Sequence, residues 1–78
     1  MQSLDKPLAL LKYIEGYIDD NGFPPSRREM VDGYGISSTS VATYYLKALQ
    51  KHEYIQMLPH RSRAIKVLRG YNESIDAP

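Results

Sequence analysis

The stretch FPPSRREMVDGYGISSTSVATYYLKAL, residues 23–49, restricts the fold most, because it holds two helix starts only eleven residues apart. Pro24 and Pro25 stop any helix arriving from the amino-terminal side. Ser26 and Glu29 then make an S-x-x-E capping box, so a short second helix starts there and is expected to reach about Gly33 or Tyr34. Gly35 permits a tight turn. A third helix is expected from Ser37 or Ser38 to about His52, and its start is a run of hydroxyls: Ser37, Ser38, Thr39 and Ser40.

Ahead of this stretch, Leu8, Leu11, Tyr13, Ile14, Tyr17 and Ile18 repeat at three- and four-residue spacing, which predicts a helix from Asp5 to about Asp20 with one buried face. Asp5 is expected to cap it, with Pro7 in the first turn, and Asn21-Gly22 suits a left-handed exit. On the third helix, a rotation of about 100° per residue places Thr39, Ala42, Leu46, Leu49 and Glu53 on one stripe, the expected core face. Ser37, Ser40, Val41, Tyr44, Ala48 and Lys51 point broadly the other way. YIQML (54–58) and AIKVL (64–68) read as two strands joined by the basic turn PHRSR, residues 59–63. The tail, residues 71–78, is polar and aperiodic and is expected to be disordered. Helix, short helix, tight turn, long helix and hairpin make a mainly α, three-helix winged helix-turn-helix over residues 1–70.

A chain of 78 residues forms one domain and buries about 60–65% of the surface its unfolded form exposes, enough for one modest core. With no cysteine it has no disulfide framework or thiolate metal site, and a reducing, cytoplasmic setting is expected. No apolar run approaches membrane-spanning length, and residues 1–10 lack the form of a signal peptide. His52 and His60 stand alone, and neither a catalytic Ser/His/Asp arrangement nor a Gly-rich phosphate loop is present, so no enzyme, cofactor or metal is expected. The net charge is +1, but it is uneven. Residues 1–34 hold four Lys/Arg against six Asp/Glu, and residues 35–78 hold six against three, giving −2 and then +3.

This pattern suits a polyanion bound on one face. The first turns of the third helix carry no bulky or acidic groups and can enter a DNA major groove, where serine and threonine bond to base edges and phosphates alike. Each feature also has a plainer reading. Ser26 with Glu29 is a cap, while Arg27 and Arg28 beside it can reach phosphate. A cap accounts for one serine of the Ser37–Ser40 run and leaves three hydroxyls over. Tyr44 is a large aromatic on the outer face, and Val41 lies outside the core stripe, where contact with a thymine methyl would account for it. His60, Arg61 and Arg63 form an exposed basic turn that is expected to meet phosphate. The competing reading is a winged helix that binds protein through a patch of Val41, Tyr44 and Tyr54.

GFPPSRREM, YGISSTSVATYYLKALQKHEYI and RSRAIKVL together resemble the amino-terminal DNA-binding domain of the LexA repressor family, over residues 8–68. The shared features are the paired prolines, the S/T-x-R-E helix start, the glycine turn into a Ser-rich helix and the wing ending in R-A-I. The resemblance implies a sequence-specific transcriptional repressor that binds double-stranded DNA. Its base-reading residues would be Ser38, Ser40, Val41, Thr43 and Tyr44. Backbone and wing contacts are expected from Ser26, Arg27, Arg28, Ser37, Thr39, Lys47, His60, Arg61 and Arg63. The family commonly leaves its third helix through Lys-Gly, whereas this chain has His52-Glu53, which leaves the geometry of that corner open. Full-length members carry a second, dimerising domain with a self-cleaving Ser-Lys pair, so this chain is expected to be either an excised domain or a one-domain relative. It is expected to be a monomer in free solution that pairs on DNA or through a domain it lacks.

Overall fold

The computed structural model describes residues 4–58 and 65–70. The order is α1 (Asp5–Asn21), α2 (Arg27–Glu29) running into a π-helical turn (Met30–Tyr34), α3 (Thr39–Lys51), β1 (Ile55–Met57) and β2 (Ile65–Val67). The expected 59–63 wing, with His60, Arg61 and Arg63, lies outside the described residues, as does the 71–78 tail.

Helix α1 starts at the residue expected to cap it. Leu4 occupies the cap position with no side-chain hydrogen bond, and Asp5 is the first helical residue. An Asp5 cap would need the Leu8 N–H, because Pro7 has none, but that N–H donates to the Leu4 carbonyl at 2.8 Å. Asp5 instead places its charge at the positive end of the helix dipole. At the other end Gly22 takes a φ of 82°, and its N–H donates to Ile18 O at 2.7 Å.

The capping box at α2 is complete. Ser26 Oγ accepts from the Glu29 N–H (3.2 Å), and the Ser26 N–H donates to the Glu29 carboxylate (2.8 Å). That carboxylate also accepts from the Tyr17 hydroxyl at 2.9 Å, which ties α2 to α1. Ring centroids run Tyr34 to Tyr13 (5.1 Å), Tyr13 to Tyr17 (6.2 Å) and Tyr17 to Phe23 (6.1 Å), so an aromatic chain backs the same junction. The Tyr13 hydroxyl oxygen lies 2.6 Å from where a β-carbon on Gly33 would stand, so a side chain there would have to displace the Tyr13 hydroxyl from this close approach of α1 to the π-helical turn. Gly35, at a φ of 92°, then turns the chain toward α3.

Buried Leu10, Leu11 and Ile14 of α1 pack with Met30, Ile36, the Ala42–Leu46–Leu49 stripe of α3 and the hairpin residues Tyr54, Ile55 and Ile65. Each fully buried leucine or isoleucine contributes about 1.5–3 kcal/mol. Two members of the expected α3 stripe, Thr39 and Glu53, are exposed, because they sit at the helix ends beyond the reach of α1. Val41, expected outside the core, is half-buried and packs against it. The strands pair antiparallel with Ile55 opposite Val67, Gln56 opposite Lys66 and Met57 opposite Ile65. β1 is shorter than expected because Tyr54 belongs to the helix exit, its N–H donating back to Leu49 O.

The His52-Glu53 corner keeps the geometry a glycine would give. The Tyr54 N–H donates to Leu49 O (2.9 Å) and the Glu53 N–H to Gln50 O (3.0 Å), a Schellman exit with Tyr54 packed on the core. Glu53 itself adopts the left-handed conformation, with a φ of 64°. A β-carbon there costs about 1–2 kcal/mol, offset in a Glu53→Gly variant by about 0.5–1 kcal/mol of added unfolded-state entropy. Glu53→Gly should therefore raise the melting temperature by a few degrees, about 2–8 °C for a domain this small. A lower melting temperature would mean that the glutamate side chain holds the corner.

Candidate nucleic-acid interface

With Ala42, Leu46 and Leu49 turned into the core, the opposite side of α3 is left to solvent. Ser40, Tyr44, Lys47 and Lys51 are all exposed and recur at i, i+4, i+7 and i+11, one continuous line about 16 Å long. Tyr44 is 48% exposed, with the Tyr45 ring 5.9 Å away. Helix α3 contains no Asp or Glu, so the line is hydroxyl and aromatic at its start and cationic at its end.

The hydroxyls divide by what they already bond. Ser38 is the cap of α3, its Oγ accepting from the Val41 N–H at 3.2 Å. The Thr43 hydroxyl donates to Thr39 O at 3.0 Å, so its proton is used within the helix. Ser37, Thr39 and Ser40 are exposed. The helix thus brings Ser38, Ser40, Val41, Thr43 and Tyr44 together at its first two turns, with Ser38 and Thr43 partly committed to the backbone.

Helix α2 packs against α3 and presents Ser26, Arg27 and Arg28 at its start. Arg28 is highly exposed and lies 4.0 Å from Asp32, an i,i+4 contact that contributes little in water and leaves the guanidinium free to move to phosphate. Arg27 is half-buried, and its Nε is buried with no hydrogen-bond partner among the described residues. Lys51, which the sequence places only on the outer face, is the next member of the same line by its spacing of four from Lys47 and seven from Tyr44.

The wing base is anchored to the end of α3. The Gln50 carboxamide oxygen accepts from the Met57 N–H (2.8 Å), and the Arg69 guanidinium donates to His52 O (3.1 Å) while lying 4.3 Å from the Tyr54 ring centre. Tyr54 is buried beneath it, at 8% exposure. The expected protein-binding patch of Val41, Tyr44 and Tyr54 therefore lacks Tyr54, which is covered. The helix exit draws Tyr54 inward.

Among the described residues, no three His, Cys, Asp or Glu side chains are grouped so as to hold a metal ion, and no helix is long and apolar enough to cross a membrane. Burial, then nearby Tyr17 and Glu29, hold the Tyr13 phenol above the ordinary tyrosine range, so it stays protonated at neutral pH and offers no base.

The family described as LexA DNA binding domain matches residues 2–64. The LexA repressor of Moorella thermoacetica is 44% identical over 69 residues, covering 87% of this chain and 34% of that protein. That of Acetivibrio thermocellus is 37% identical over 75 residues, covering 95% of this chain and 35% of the relative. That of Leifsonia xyli is 39% identical over 64 residues, covering 82% and 29%. The chain spans about a third of the length of these curated relatives.

Proposed function

The chain belongs to the LexA DNA-binding domain family, and from that premise we propose that it is a sequence-specific reader of duplex DNA acting in transcriptional repression in the cytoplasm. Helix α3 enters the major groove with Ser38, Ser40, Val41, Thr43 and Tyr44 toward the bases. Ser26, Arg27, Arg28, Ser37, Thr39, Lys47 and Lys51 meet the backbone, and the wing residues His60, Arg61 and Arg63 extend that contact. The observation that carries this reading is the exposed line Ser40–Tyr44–Lys47–Lys51 on a helix free of carboxylates, since a polyanion excludes acidic groups from the surface it touches. The acidic residues Asp19, Asp20 and Asp32 lie on α1 and the π-helical turn, not on α3.

Base contacts and backbone contacts should separate on substitution. Against a duplex enriched from a random pool, Tyr44→Ala should lower discrimination from a scrambled duplex by about 1–3 kcal/mol, or about 5- to 150-fold, and Ser40→Ala should lower it by less. Lys47→Ala and Arg61→Ala should weaken both duplexes alike. Fluorescence anisotropy on labelled duplexes measures both quantities. A Lys47→Ala loss confined to the enriched site, or an equal Tyr44→Ala loss on both, would reverse these roles.

A further inference from the structure

Resting on that DNA-reading proposal, we infer that the site this chain selects is thymine-rich where it meets the first two turns of α3. Val41, Thr43 and Tyr44 recognise it through thymine methyl groups, with no paired hydrogen bonds to purines. Residues 37–46 contain no Arg, Lys, Asn, Gln, Asp or Glu. Those are the side chains that read guanine and adenine by paired hydrogen bonds and cytosine through its amino group. The next amide along the helix, Gln50, has its carboxamide oxygen on the Met57 N–H at 2.8 Å, so it is directed to the hairpin.

The hydroxyls do not fill that role. Ser38 Oγ holds the Val41 N–H and Thr43 has given its proton to Thr39 O, while a lone serine or threonine hydroxyl pairs with several base edges and discriminates weakly. What the first two turns offer beyond hydroxyls is apolar. The Tyr44 ring is half exposed and steadied by Tyr45, Val41 lies one turn before it and is half-buried, and Thr43 keeps its γ-methyl. Of the four bases, thymine alone places an apolar group, its C5 methyl, in the major groove. An exposed aromatic beside a valine on the reading face is thus matched by methyl groups.

The test changes the DNA and leaves the protein intact. A duplex enriched on the chain from a random pool is remade with deoxyuridine replacing thymidine at one position at a time. Uracil keeps the pairing edge, the minor groove and the phosphates and loses only the methyl. Affinity is expected to fall about fourfold at each contacted thymidine, and about 15-fold where two are replaced, because each methyl removed from water contributes about that much. With Tyr44→Ala, an exposed change checked for folding by circular dichroism, the loss at its own thymidine should shrink to about twofold or less. An enriched duplex that lacks thymine under α3, or keeps full affinity after every replacement, would overturn the methyl reading and leave DNA recognition standing. A pool that yields no enrichment over random duplex would overturn both.

Discussion

Raising salt from 50 to 200 mM should weaken binding of this chain to its duplex about 40- to 150-fold. The expectation comes from counting cations that can reach phosphate. Arg28, Lys47 and Lys51 are exposed at the start of α2 and along α3, Arg27 sits beside them, and Arg61 and Arg63 belong to the basic turn expected from the sequence. If three or four of these each neutralise one phosphate, log affinity falls with log salt at a slope of roughly −2.7 to −3.6. The net charge of +1 contributes little to that slope, which reports local ion displacement at the interface. A slope near zero, measured by anisotropy at five or six salt concentrations, would return the winged helix to a protein-binding role.

Two covalently joined copies should bind a duplex carrying two half-sites about one helical turn apart some 10²–10⁴-fold more tightly than a single copy binds one half-site. A module of this size covers only about 600–1,000 Å² on DNA, less than the dimers that bind tightly. In free solution the single chain should sediment as a monomer. Helix α1 has its apolar face in the core, and among the described residues the large apolar groups left exposed, Phe23, Tyr34, Tyr44 and Leu68, lie in separate stretches of the chain. Pairing is therefore expected to come from DNA or from a further domain. A stable dimer at micromolar concentration without DNA, or no gain on joining two copies, would contradict this.

Where local chemistry alone decides a feature, the amino-acid order was enough to find it. Ser26 and Glu29 can satisfy each other's backbone within one turn, and Gly22 and Gly35 stand where φ is positive. The core face of α3 follows from the spacing of Ala42, Leu46 and Leu49. Features that depend on tertiary contact were not legible. The expected stripe omits Leu10, yet Leu10 is fully buried beside Leu11, because α1 packs across a wider arc than one narrow stripe covers. The π-helical turn has no periodic signal of its own and places glycine against Tyr13 of another helix. Glu53 disfavours a left-handed corner by propensity, but the Tyr54–Leu49 bond and the burial of Tyr54 impose it. The same burial removes Tyr54 from the surface where an outward aromatic had been expected. In the site, hydroxyl-rich Ser37–Ser40 was conspicuous, whereas the prior commitment of Ser38 and Thr43 to backbone groups required coordinates.

The claim that α3 is the reading helix is tested most directly by amide chemical-shift mapping on this small chain as its enriched duplex is added. Shifts should concentrate on residues 37–47, extend to Arg27 and Arg28, and collapse for Tyr44 but persist for Arg28 when scrambled duplex is used. Shifts centred on the acidic outer face of α1 around Asp19 and Asp20, with residues 37–47 unmoved, would contradict it.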